Sequence, residues 1–151
     1  MPETADDWSD VIKIANGRWP STANTEAEAA ATDAFVKVYL RLPDRSDSFD
    51  DAAVVVIAYG LRPAARNTDS EKAAIKSFKH IYGYNPSGAI DWDVVRAIAY
   101  SGATRQPDAD KDLLSDAYEA ILGTDPNKFD TDNDGYSDGE EIKNGHNPLG
   151  E

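Results

Sequence analysis

Set against itself at an offset of 43 residues, the chain aligns 14–50 with 57–93 without a gap, and thirteen of the 37 pairs are identical. The identities include Asn24/Asn67, Thr25/Thr68, Glu28/Glu71, Ala31/Ala74, Phe35/Phe78, Tyr39/Tyr82, Pro43/Pro86 and Asp50/Asp93, with Phe49/Trp92 extending the match. Whatever one stretch builds, the other must build again. Thr25-x-x-Glu28 and Thr68-x-x-Glu71 read as capping boxes at helix starts. Beyond them Ala31, Phe35, Val38 and Tyr39, and again Ala74, Phe78, Ile81 and Tyr82, recur at helical spacing. Pro43 and Pro86 stop each long helix, and a shorter helix follows at 50–60 and at 91–102, ended by Gly60 and Gly102. A shorter echo at 8–17 predicts one more short helix in front, giving five in the order short, long, short, long, short. Two units fall short of a solenoid, so the expectation is a compact helical bundle.

Side chains in this part read as structural. Trp8, Tyr39, Tyr82 and Trp92 lie on helical stripes and are expected in the core. His80 is expected on the surface, and Asp91 and Asp93 at a helix start are expected to act as caps. No catalytic residue is assigned.

Charge is divided unevenly. Residues 107–151 hold 13 acids against 3 bases, whereas residues 1–106 hold 15 against 12. The break near Gln106-Pro107 separates a helical repeat domain, 5–105, from an acidic segment, 106–151. A formal charge of −13 argues against nucleic acid and anionic membranes, which require clustered Lys and Arg. No apolar run is long enough for membrane insertion. The absence of cysteine excludes disulfides and thiolate metal sites, and two histidines are too few for a His-rich one. Hard cations remain, because they take oxygen ligands.

The acidic segment supplies them in order. DTDNDGYSDGEE, residues 130–141, places Asp130, Asp132, Asp134, Tyr136, Asp138 and Glu141 at positions 1, 3, 5, 7, 9 and 12 of a calcium loop, with Gly135 at position 6. Alternate Asp side chains converge as the backbone curls, position 7 offers its carbonyl, and Glu141 reaches back from the following helix. Twenty-two residues upstream, DADKDLLSDAYE repeats the set: Asp108, Asp110, Asp112, Leu114, Asp116 and Glu119. Here Leu113 stands at position 6, where a β-carbon opposes positive φ by about 1 kcal/mol. That loop is expected to bind more weakly or to turn differently. Two Ca2+ ions are expected in all, in an EF-hand-like two-loop segment of an all-α chain. The helices it frames are under ten residues and cannot persist alone, so binding is expected to be coupled to folding.

The run SDAYEAILGTDPNKFDTDNDGYSDGEEIKNGHNP resembles the bacterial thrombospondin type-3-like calcium repeats, with Gly123-Thr124-Asp125-Pro126 as their connector and Gly145-His146-Asn147-Pro148 as a changed copy. The resemblance covers 108–148. It implies an extracellular or cell-surface bacterial protein, although the opening MPETADDWSD contains no apolar leader. The 22-residue spacing is also similar to dockerins, which implies a calcium-dependent adaptor that binds a partner module. The leading expectation is a calcium-stabilised structural or interaction module, not an enzyme, its partners being calcium ions and a protein or neighbouring domains of a larger surface protein. A small secreted hydrolase with structural calcium is the alternative from another class, since two carboxylates suffice for glycoside chemistry. An intracellular sensor fits poorly, because its Met-rich groove is missing from a chain whose single Met is Met1.

Overall fold

The computed structural model describes residues 23–150, and every regular element among them is a helix. Six are present: α1 (Thr25–Tyr39), α2 (Ser48–Tyr59), α3 (Thr68–Tyr82), α4 (Ala89–Tyr100), α5 (Asp116–Leu122) and α6 (Asp138–Asn144). The helix expected at 7–17, and Trp8 with it, lies outside the described residues. The chain divides into two compact units. One holds the described residues up to 38 together with 43–103, and the other holds 39–42 with 104–150.

In the first unit the repeat is visible element by element, as α1 then α2 and α3 then α4. The predicted stripe of α1 is buried at Ala31, Phe35 and Val38, and that of α3 at Ala74 and Phe78. Helix α2 is apolar all round, with Ala52 to Ile57 buried in succession, as befits a helix covered on every side. It packs on α4, which also packs on α3. Phe78 stacks on Tyr82 at 4.3 Å, and Lys37 of α1 lies 4.2 Å from the centre of the Tyr82 ring. His80 is exposed.

Four expectations need correction. The helix caps are Asn24 and Asn67, whose side chains accept from Ala27 N–H (3.0 Å) and from Asp69 and Ser70 N–H (3.2 and 3.0 Å), so Thr25 and Thr68 are already inside their helices. The glutamates three residues on do not close a box directly. Tyr59 accepts from Asn24 N–H (2.9 Å) and donates to Glu28 (2.6 Å), and Tyr100 accepts from Asn67 N–H (2.9 Å) and donates to Glu71 (2.7 Å). A tyrosine from the end of each short helix thus bridges cap and glutamate of the long one. Asp50/Asp93 and Phe49/Trp92 match in sequence but not in place: α2 and α4 start and end 41 residues apart, because the loop after Pro86 is two residues shorter than that after Pro43. In that register Asp50 pairs with Asp91, and each reaches back to N–H groups before its helix: Asp50 to Asp44 (2.9 Å), and Asp91 to Ser87 (3.0 Å) and Gly88 (3.2 Å). Asp93 is no cap and pairs with Arg96. Trp92, expected in the core, is 39% exposed.

The bridges set a prediction. Tyr100→Phe removes the hydroxyl from a side chain only 3% exposed and strands Asn67 N–H, so chemical denaturation should show a loss of about 1–3 kcal/mol. Tyr59→Phe, at the more accessible copy, should lose less.

Candidate metal centre

Both acidic loops are bent by their own aspartates. Asp108 accepts from the N–H groups of Lys111 (2.6 Å) and Leu113 (3.2 Å), and Asp130 from those of Asn133 (2.7 Å) and Gly135 (2.9 Å). Asp112 N–H bonds Asp110 (3.3 Å) and Leu114 N–H bonds Asp112 (2.7 Å). The second loop repeats this with Asp134 to Asp132 (3.1 Å) and Tyr136 to Asp134 (2.9 Å). Such side-chain turns aim alternate carboxylates inward. Ser115 caps α5 by accepting from Tyr118 N–H (3.2 Å), as Ser137 caps α6 through Glu140 N–H (3.1 Å).

Leu113 takes the turn its sequence opposes. Its φ is 83°, beside 103° at Gly135, and Lys111 and Asn133 match at 66° and 64°. The first loop therefore has the shape of the second. Its strained residue is held, because Leu113 C=O accepts from Leu42 N–H at 2.6 Å. Arg41, only 1% exposed, donates to Thr104 C=O (2.8 and 3.1 Å) and anchors the 39–42 segment within the unit. Nothing in the acidic motif announced this anchor. The signal available was the departure of Leu40-Arg41-Leu42 from Gly83-Tyr84-Asn85 in the other repeat.

The structure gathers the carboxylates in three groups, each with ligand atoms within 4.8 Å of one another: Asp108, Asp110 and Asp112; Asp130, Asp132 and Asp134; and Asp112, Glu119 and Asp138. The third joins residues of both loops and is wholly buried. Asp116 and Asp138, at position 9 of each loop, brace the loop start, accepting from Ala109 N–H (2.9 Å) and Thr131 N–H (2.8 Å). Leu114 is fully buried, whereas Tyr136 at the same position is 63% exposed. Glu141 is buried, and with Asp132, Asp134 and His146 it lines a pocket of ≈ 350 Å³.

Several of these oxygens are left without donors. Glu119 is fully buried; the Thr124 hydroxyl donates to its Oε1 (3.3 Å), but Oε2 has no partner. Asp110 Oδ2 and Glu141 Oε2 are buried and unpartnered in the same way. Burial, with Asp110 and Asp112 alongside, pushes Glu119 up to about 7. Burial, reinforced by Asp110 and Asp108, pushes Asp112 up to about 6 against the opposing N–H bonds of Leu114 and Gly139. Asp110 and Glu141 are raised as well, chiefly by burial. A converging set of buried oxygens with spare lone pairs and mutual repulsion is what a hard divalent cation requires, and the donors present fit one.

The family model of the bacterial TSP3 repeat matches residues 114–128 and 130–149. Such repeats generally bind calcium, and the acidic groups above agree with that chemistry. The match begins at Leu114 and so leaves Asp108, Asp110 and Asp112 in front of it. No curated protein and no solved structure matches the chain. Among the described residues no helix is long and apolar enough to cross a membrane.

Two predictions follow from the geometry. In chelator, Glu119 and Asp112 bind protons more tightly folded than unfolded. The contribution of these two groups to the stability of the second unit should therefore be greatest below about pH 4 and be lost as pH rises through 6 and 7, by about 3 kcal/mol for Glu119. Melting in chelator at pH 5 and pH 8 checks the sign. Leu113→Gly should raise stability of the calcium-loaded protein by about 1 kcal/mol through release of the left-handed strain, read as a higher denaturation midpoint.

Proposed function

We infer that this chain is a calcium-folded structural and interaction module of a secreted or cell-surface bacterial protein, with one ion in each acidic loop. The observation that carries the reading is the set of buried, donorless carboxylate oxygens, Asp110 Oδ2, Glu119 Oε2 and Glu141 Oε2, one or more in each loop. The first ion would be held by Asp108, Asp110, Asp112, the Leu114 carbonyl and Glu119. The second would be held by Asp130, Asp132, Asp134, the Tyr136 carbonyl and Glu141. Calcium accepts six to eight oxygens in irregular cages, whereas magnesium keeps its waters and demands an octahedron, so the all-protein donor set favours calcium.

The ions act on folding. Helices α5 and α6 are seven residues each, too short to persist without tertiary support. A cation turns repulsion among the loop carboxylates into shared attraction, so binding free energy becomes folding free energy. Millimolar calcium outside the cell would keep such sites filled, and extracellular use of TSP3 repeats supports that address. We assign no catalytic step: the carboxylates with raised proton affinity in the second unit belong to the loops and serve the ions.

A partner-binding role is favoured by the large apolar side chains left exposed in the second unit. Ile121, Phe129, Tyr136 and Leu149 are 67%, 54%, 63% and 49% exposed on a segment otherwise dominated by acids. Should they form one contiguous patch, they would mark a contact surface. An adaptor that engages its partner only when calcium orders this segment would use such side chains.

Calorimetric titration of calcium into chelator-stripped protein should give two ions per chain, and the melting temperature of the second unit should rise with calcium. One ion, lost on Asp130→Ala, would confine the function to 130–141. No heat at millimolar calcium would remove the reading.

A further inference from the structure

The two loops meet where Asp138 of the second lies among buried carboxylates of the first. Resting on the calcium reading, we propose that Asp138 is a ligand of the ion in loop 108–119, supplied to it by the following repeat, so that the two sites form one coupled unit.

Asp112, Glu119 and Asp138 have oxygens within 4.8 Å of one another, and all three residues are buried, at 2%, 0% and 0% exposure. No lysine, arginine or histidine is part of any ion pair with them in the described residues. Three buried anions need a cation or protons between them. Glu119 Oε2 is the sign that a cation belongs there, because it is fully buried and receives no hydrogen bond.

Asp138 has the capacity for both tasks. Its Oδ1 accepts from Thr131 N–H (2.8 Å) and its Oδ2 from the Thr131 hydroxyl (2.6 Å), which braces its own loop. A carboxylate offers about four lone-pair positions, so one on each oxygen remains for a metal. The backbone enforces the approach. Gly139 N–H donates to Asp112 Oδ2 at 3.0 Å, and a β-carbon on Gly139 would lie 2.0 Å from the Asp112 carbonyl oxygen. The preceding repeat carries Ala117 at that place, so the glycine belongs to the contact and not to the motif.

The donors of loop 108–119 alone number five residues, and Asp138 makes six, within the calcium range. Filling that site would fix the start of α6, from which Glu141 reaches the second ion. Sites that share an ordered element in this way raise each other's affinity by the same factor.

The test uses the full chain. Calcium is titrated while NMR follows the amides of Leu113 and Gly135, one reporter in each loop. Asp138→Asn keeps an oxygen for Thr131 N–H but loses the charge. It is expected to weaken the Leu113 transition by about tenfold or more and the Gly135 transition by less than threefold. Gly139→Ala, with every carboxylate intact, is expected to shift the same way. In Asp132→Asn/Asp134→Asn, where the second site is disabled, the Asp138 carboxyl carbon should still move together with Leu113. An unchanged Leu113 transition in Asp138→Asn, or an Asp138 carboxyl that ignores the first ion, would overturn the proposal. A native protein whose amides ignore calcium altogether would instead overturn the calcium reading beneath it.

Discussion

Carboxylates held at ligand distance from one another, with water largely removed, are the constraint to which the rest of the second unit is fitted. At about 4 Å each unscreened pair costs ~4 kcal/mol at an effective dielectric of 20, and three groups of such pairs lie within one short segment. The backbone relieves only part of this. Its N–H groups neutralise one or two oxygens of Asp108, Asp112, Asp130 and Asp134, and in doing so shape the turns, but they do not reach Glu119 Oε2 or Glu141 Oε2. Hydrogen bonds here act as scaffolding for a charge balance that they leave incomplete. The elements that carry the glutamates are seven-residue helices, about two turns each, capped by serine and glycine and with little apolar surface of their own. Their position depends on what neutralises the glutamates.

The first unit is built on the opposite principle. Its core is a continuous apolar layer, from Ala31 and Phe35 through Ala52–Ile57 to Val94 and Val95, and its repeated polar feature is fully paired. Tyr59 and Tyr100 each satisfy a helix cap and a glutamate at once. Arg66 at Glu71 holds that carboxyl below its ordinary value, so the bridge stays charged on one side and protonated on the tyrosine. Such a network neither needs nor invites a cation. The two units thus draw stability from different sources, burial in one and charge compensation in the other.

What the sequence made legible follows the same division. Helical periodicity, proline stops and glycine caps are local, and they located α1 to α4 to within a few residues. The loop template is local too, and Asp108 to Glu119 and Asp130 to Glu141 curl as their spacing implies. What stayed hidden was contact between distant residues. The Asn caps were masked by the adjacent Thr-x-x-Glu pattern, since both sit at the same helix start and only the position of Tyr59 and Tyr100 decides between them. The 43-residue register was carried two residues too far, because the identity of Asp50 and Asp93 hid a shortened loop. The Arg41-Leu42 anchor and the Asp138 junction each showed in sequence only as a break in a repeat: Leu40 for Gly83, and Gly139 for Ala117.

Those breaks explain why Leu113 is tolerated. A leucine at φ 83° is costly in a free loop, yet its carbonyl is caught by Leu42 N–H and the neighbouring Leu114 is wholly buried. The first loop is therefore held from outside its own motif, by Leu42 and by Asp138 and Gly139. The second loop has the glycine that the turn requires, and it stands open, with Asp134 exposed and Glu141 facing the pocket. Motif quality and enclosure run in opposite directions. The loop with the poorer sequence has the more buried carboxylates and so gains more from a cation at its centre. The loop with the better sequence relies on local geometry and leaves Asp134 accessible to solvent.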